Sequence, residues 1–333
     1  MLALLGLDME VQTYMDKITL SIGTGGEEMT HFLEETVFPV LEQSISGDAA
    51  IVGRTAFTID SFVADPPFFP GGSIGTLAVS GTVNDLVAAG ARPSALALSL
   101  ILEEGLDTDV VRRVLEDVRR TSKLARVQVV TGDTKVVQRG AADKVFITTS
   151  GIGEKVLEFS APMPGDAVIV TGDIARHGAA MLLASKKFEL EAQLTSDCEP
   201  LYWLPEVLQP FQAQLRWMRD PTRGGVGTVL QEFCREFSLG VRLFQEQVPI
   251  IPEVTGVCEL LGIEPLHLAS KGRMVIVISP DKAHELLELL KPFAPNSSII
   301  GEVVNDHKTL TKVVDGYETF VPPLTGEILP RIC

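Results

Sequence analysis

Short apolar runs alternate with amphipathic stretches along most of the chain. From Ala49 to Gly153, Ala56-Phe57-Thr58-Ile59 reads as a β-rich run, followed by residues 77–89 and then 96–102. Val110, Val111, Val114, Leu115 and Val118 recur at helical spacing, which predicts a helix to Leu124 behind a Thr108 or Asp109 cap. Val127 to Val130 and Val145 to Thr148 close this set as strands.

Pro162-Met163-Pro164-Gly165-Asp166 is the clearest linker, and beyond it the same style repeats. Ala167 to Val170, Leu215 to Met218, Val241 to Phe244, Met274 to Ile278 and Ser298 to Ile300 read as strands. His177 to Ser185, Gly225 to Phe237 and Lys282 to Leu290 read as helices. The pattern predicts two related α/β domains with a cleft between them. The expected divisions are an N-terminal segment with a glycine flap at 1–45, domains at 46–160 and 161–321, and a mobile tail at 322–333.

Composition narrows the function. With 333 residues, 45% of them hydrophobic, the chain can bury a full core. A formal net charge of −16 argues against a nucleic-acid surface, which needs clustered Lys and Arg. Cys198, Cys234, Cys258 and Cys333 show no zinc or disulfide spacing, which fits a reducing compartment and a cytoplasmic protein. The apolar opening Met1 to Leu7 is broken by Asp8 and Glu10 before a signal core is complete, and no run reaches the length of a membrane span.

Four aspartates fall at or just beyond the ends of predicted strands: Asp60, Asp85, Asp133 and Asp220. Singly, each reads more readily as a turn or helix cap. As a set they offer the hard oxygen ligands that a Mg²⁺–nucleotide site needs, with Lys135, past Thr134, to meet a phosphate as a point charge. Gly23, Gly25 and Gly26 form a glycine cluster whose amides can approach a polyphosphate, although such a cluster is otherwise a turn. Arg223-Gly224-Gly225-Val226-Gly227 opens a helix and serves either anion binding or close packing through glycine. His177 is expected as a cap or surface residue, and Cys198, Cys234 and Cys258 as core thiols.

The last residue, Cys333, follows a stretch with two prolines, one glycine and no apolar period, from Pro322 to Glu327. Position alone favours a frayed end. An extended arm of about ten residues would nonetheless carry the thiol about 30 Å, far enough to enter a cleft.

Ala56 to Val63, Phe68-Phe69-Pro70-Gly71-Gly72, Gly81-Thr82-Val83-Asn84-Asp85-Leu86, Val130-Thr131-Gly132-Asp133-Thr134-Lys135-Val136-Val137, Arg219-Asp220-Pro221-Thr222-Arg223-Gly224-Gly225 and Pro330-Arg331-Ile332-Cys333 together resemble the HypE family of hydrogenase maturation factors, over nearly the whole chain. The resemblance implies the aminoimidazole ribonucleotide synthetase-like fold, a homodimer joined through N-terminal domains, and ATP with Mg²⁺ at Asp60, Asp85, Asp133 and Asp220. It also implies Lys135 beside the reacting carboxamide and Cys333 as carrier thiol, with Gly23, Gly25, Gly26, Thr134 and Arg223 about the nucleotide. The implied chemistry is ATP-dependent dehydration of a carbamoyl group on Cys333 to a thiocyanate. HypF loads the thiol, and the HypC–HypD complex receives the cyano group for the iron of [NiFe]-hydrogenase. Two positions depart from the family pattern. Ile22 stands where a histidine precedes the flap, and Ser270-Lys271-Gly272 replaces an Asn-Glu-Gly segment, so Lys271 offers no carboxylate base. Two other readings share the fold or tail: an ATP-dependent small-molecule kinase or synthetase, and a non-catalytic carbamoyl carrier.

Overall fold

The computed structural model describes residues 17–43, 47–185 and 193–324. The arm at 325–333 with Cys333, and the apolar opening at 1–16, lie outside the described residues. Two short helices begin the fold, α1 (Glu27–Phe32) and α2 (Phe38–Leu41). A five-stranded sheet follows in the order β1-β2-β7-β5-β6, formed by β1 (Ala50–Val52), β2 (Thr55–Phe62), β5 (Ala91–Glu103), β6 (Gln128–Val137) and β7 (Val145–Lys155). The two-residue strands β3 (Phe68–Phe69) and β4 (Gly72–Ser73) pair with each other and lead into α3 (Ile74–Ala88). Helix α4 (Thr108–Leu124) connects β5 to the parallel strand β6.

Beyond residues 156–166, which form neither helix nor strand, a seven-stranded sheet runs in the order β14-β13-β10-β12-β8-β11-β9. Its strands are β8 (Ala167–Val170), β9 (Leu215–Arg219), β10 (Gly240–Phe244), β11 (Val275–Ile278), β12 (Ser298–Val304), β13 (Leu310–Val314) and β14 (Tyr317–Phe320). Helices α5 (Arg176–Ala184), α6 (Leu204–Leu208), α7 (Gly225–Phe237), α8 (Pro252–Leu261) and α9 (Pro280–Leu290) complete the unit.

The burial pattern explains why the two halves read differently. Strands β8 and β11 are continuous apolar runs because both their faces are covered. Val168 and Val170 pack on the side of α7 and α8, while Ala167 and Ile169 join a second core. That second core crosses the domain boundary, bringing Val79, Val83 and Val87 of α3 against Leu204, Phe211, Met218 and Ile276. Helix α3 is therefore buried nearly all round, as expected of a helix with no polar face. Each fully buried side chain such as Leu77 or Val83 contributes about 1.5–3 kcal/mol through lost apolar exposure. Gly75 permits the closest helix contact, since a Cβ there would lie 2.4 Å from the Val114 carbonyl of α4.

Three expectations need correction. The cap of α4 is Asp107, whose carboxylate accepts from Asp109 N–H at 2.9 Å, so neither Thr108 nor Asp109 serves. The buried face of that helix is Val114, Val118, Thr121 and Ser122, and Leu115 is exposed because α3 covers only a narrow stripe. His177 is fully buried, with Nδ1 at 2.8 Å from Ser196 Oγ and the Phe69 ring edge-on at 5.4 Å. The three described cysteines are core residues, and burial pushes the Cys198 and Cys234 thiols up to about 12 and the Cys258 thiol up to about 11.

Candidate active site

Strand β2 alternates between a face covered by α3 and an open one. Ala56, Thr58 and Phe62 are buried, and Asp60 shares their side, with Oδ2 near Gly81 of α3. On α3, Asp85 faces back toward β2, where Thr58 Oγ1 lies 3.1 Å from its Oδ2 and 2.8 Å from the Asp48 carbonyl. From the other domain, β9 ends at Arg219, whose Nη1 donates to Asp48 Oδ1 at 2.6 Å, and the next residue is the buried Asp220. Four carboxylates from both domains therefore meet at one junction.

Their electrostatics follow from this crowding. Burial pushes the Asp85 carboxyl well above the usual range, and Asp220, Asp48 and Asp60 add to the rise. Asp220 is pushed up to about 7, first by burial and then by Asp48. Asp48 is pushed up to about 6 by burial, against the opposing pull of Arg219. A cavity of about 340 Å³, lined in part by Asp48, Ala88, Lys155, Trp217 and Arg219, opens beside the group.

Among the described residues no three His, Cys, Asp or Glu side chains form a ready-made metal cage. Mg²⁺ that arrives with a polyphosphate needs only one or two protein carboxylates, since it keeps waters and phosphate oxygens. Asp60, Asp85 and Asp220, with Asp48, fit such an ion by donor chemistry, and their mutual repulsion is what a divalent charge would relieve.

Asp133, Thr134 and Lys135 stand elsewhere. They lie in the middle of β6, a strand exposed along its length, rather than in a loop beyond it. Asp133 pairs with Ser99 and Lys135 with Ile101 of β5, which puts both on the open face of the sheet, opposite to Asp60. Lys135 Nζ lies 2.8 Å from Asp133 Oδ2, and that hydrogen bond holds the Asp133 carboxyl below its ordinary range. Within one chain, Asp60, Asp85 and Asp220 come together and Asp133 does not join them.

The glycine flap curls beside α7. Gly25 has φ of +80°, and a Cβ there would fall 2.8 Å from Arg223 Cβ, while Gly23 stands in open space. Gly25, Gly26 and Thr30 border a crevice with Gln231 and Leu324. Gln231 Nε2 donates to the Val321 carbonyl at 3.1 Å, so the root of the arm packs beside the flap and near Arg223. Gly224, Gly225 and Gly227 serve close packing: a Cβ on Gly225 would lie 2.5 Å from the Leu266 and Leu268 carbonyls. Sequence reasoning missed Asp48, which sits in an unpatterned turn before β1 and carries no signal beyond its charge.

A paired-domain fold with carboxylates from both halves at the junction defines a class. Residues 46–155 match the family model of the AIR synthase related protein N-terminal domain, and residues 163–313 that of the C-terminal domain. The chain belongs to the HypE family of carbamoyl dehydratases, and it is 38% identical to the carbamoyl dehydratase HypE of Rhizobium leguminosarum bv. viciae over 95% of each chain. Among solved structures it resembles a hydrogenase maturation protein HypE in complex with ATP, with TM-score 0.80, 34% identity, and 95% and 100% of the two chains covered. It also resembles a HypE–HypF complex, with TM-score 0.84, 37% identity, and 87% and 99% covered. No described helix is long and apolar enough to cross a membrane.

Proposed function

We propose that this chain uses ATP to dehydrate an S-carbamoyl group on its own Cys333, giving a thiocyanate that supplies cyanide to the iron of [NiFe]-hydrogenase. The observation that carries the reading is the partly buried group Asp48, Asp60, Asp85 and Asp220, joined through Arg219 and Glu232 to the crevice that holds the flap and the root of the Cys333 arm. An ATP-bound relative of the same fold supports it. Hydroxide leaves poorly and phosphate leaves well. The carboxamide oxygen therefore attacks the γ-phosphorus and ADP departs as the nitrogen gives up one proton; the resulting imidate phosphate then loses its second nitrogen proton and phosphate to give S–C≡N.

Asp60, Asp85 and Asp220 would hold Mg²⁺, which supplies charge neutralisation to the phosphates when bound. The flap at Gly23, Gly25 and Gly26, with Arg223, closes over the nucleotide and limits water. From the arm root at Leu324, the nine residues to Cys333 reach about 30 Å when extended, enough to deliver the thiol to this junction. HypF would load the thiol, in line with the HypE–HypF complex of a relative, and the HypC–HypD pair would take the cyano group. All of this suits the cytoplasm.

The open face of the five-stranded sheet favours a homodimer. Phe57, Ile59 and Ile152 are exposed there, Ile59 at 64%, beside the unpartnered edge of β6. Pairing through this face would bring Asp133 and Lys135 of one chain, with Thr134 between them on the opposite face of β6, toward the other chain's junction. Lys135 would then meet the reacting carboxamide as the delivered cation.

Intact-mass analysis of carbamoylated protein tests the reading. Loss of one water from the C-terminal peptide, only with Mg-ATP, is expected. Retention of the carbamoyl group with no ATP consumed would leave a carrier, and turnover of a free substrate after removal of the arm would leave a kinase.

A further inference from the structure

A protein interior rarely accepts an ammonium group without a charge partner or a ligand. Lys271 is buried, at 4% exposure, in the loop that leads into β11. That loop is held from three directions. The Lys271 N–H donates to Asp197 Oδ1 at 3.2 Å, its carbonyl accepts from Asn84 Nδ2 at 3.1 Å, and the Ser270 N–H donates to the Pro221 carbonyl at 2.9 Å. Asn84 immediately precedes Asp85, and Pro221 immediately follows Asp220. The backbone of the Ser270-Lys271 loop is thus fastened to both acid-bearing segments, through Lys271 to Asn84 and through Ser270 to Pro221.

Asn84 makes this possible. It is 1% exposed, its amide group also donates to the Glu199 carbonyl at 3.1 Å, and its Oδ1 accepts from Leu201 N–H at 2.8 Å. Its two donors and its acceptor are all engaged, so it ties α3 of one domain to two loops of the other. Gly272 allows the tight path, because a Cβ there would overlap the Asp197 carbonyl at 2.0 Å. Among the cations that favour ionised Asp220, Lys271 outweighs Arg219. Lys135 of the same chain faces the other side of its sheet.

We propose that Lys271 binds nucleotide phosphate at this junction, with Asn84 as the residue that positions it. The inference rests on the reading of the junction as an ATP site, but not on the dehydration step. A compact ammonium held beside carboxylates suits a triphosphate that arrives with its own divalent cation: the carboxylates take the cation, and the ammonium takes a phosphate oxygen.

Calorimetry on the full chain, with a non-hydrolysable ATP analogue plus Mg²⁺ and with adenosine as separate probes, tests this. Lys271→Gln should weaken the analogue ten- to hundredfold and leave adenosine within about twofold. Asn84→Ala should weaken the analogue by a smaller factor and add almost nothing to the Lys271→Gln loss, since both act on one contact. Equal losses for both probes, or wild-type analogue affinity in Lys271→Gln, overturns the proposal. Should that variant not fold, Lys271→Arg must still change analogue affinity several-fold against constant adenosine affinity. If the wild type binds the analogue through Lys271 yet never sheds water from carbamoylated Cys333, the inference stands and the dehydratase reading falls. A wild type that binds no analogue overturns both.

Discussion

The two sheets of this molecule are finished to different degrees. In the seven-stranded sheet, β8 and β11 are buried at every residue, with helices on one side and the shared core on the other. In the five-stranded sheet, α3 covers one face, the other carries exposed Phe57, Ile59 and Ile152, and β6 is exposed almost throughout. The contrast teaches that the seven-stranded sheet is covered on both faces, one of them by the core it shares with α3, whereas the five-stranded sheet offers an apolar face and an open edge that proteins seldom leave bare in water. The candidate site divides along the same line: Asp60 and Asp85 use the covered face of the unfinished sheet, and Asp133 and Lys135 use the open one.

The largest effect expected from breaking this arrangement comes from charge at the junction. Asp85→Asn, and separately Lys135→Ala, should each slow water loss from carbamoylated protein by about 100-fold or more, read by intact mass. Mixing the two variants tests whether a site draws on both chains. Random exchange in a twofold dimer places one intact site in half the dimers, so about a quarter of wild-type activity should return. No recovery would mean that Lys135 does not serve a neighbouring chain.

Next comes the open face itself. Ile59→Asp should weaken self-association at least about tenfold in sedimentation equilibrium. Leu260→Asp, at an equally exposed leucine of α8 in the C-terminal unit, should leave the assembly unchanged. Equal effects from both would remove the distinction between the two sheets.

A smaller effect concerns pH. Because Asp220 holds its proton more tightly folded, at about 7, than an unfolded aspartate does, its protonated form stabilises the fold fully below about pH 4. That stability is lost as pH rises through 7. In EDTA, chemical unfolding should show the wild type weakening between pH 4 and 7, and Asp220→Asn should be more stable at pH 8 by about 2 kcal/mol. The slope should shrink when Mg²⁺ is added.

The smallest effect belongs to the pair Arg54 and Glu154, 2.7 Å apart at the exposed end of β2 and β7. Arg54→Ala should change stability by no more than about 0.5 kcal/mol in the same assay, since solvent screens so exposed a pair.

Much of the C-terminal unit was legible because burial on both faces leaves a plain record, as in the unbroken apolar run of β8. Strand β6 was legible only at its start. Val127 to Val130 read as a strand, but Thr131 to Lys135 looked like a loop, because an exposed strand needs no alternation and Gly132 reads as a turn. Asp85 was found through its motif, whereas Asp48 had none and enters the site through its contacts with Arg219 and Thr58.

The residues themselves determined the repeating strand and helix pattern, the supply of carboxylates and the placing of a thiol at Cys333, since these follow from local period and side-chain chemistry. Only the tertiary structure decided which carboxylates meet. A side chain's face is set by strand register, and register separates Asp133 from Asp60, while packing of α3 against the seven-stranded sheet brings Asp85 to Asp220 across the domain boundary. The burial of Lys271 was decided there too, because three hydrogen bonds from distant segments, none visible in the local sequence, hold its loop against the segments that carry Asp85 and Asp220.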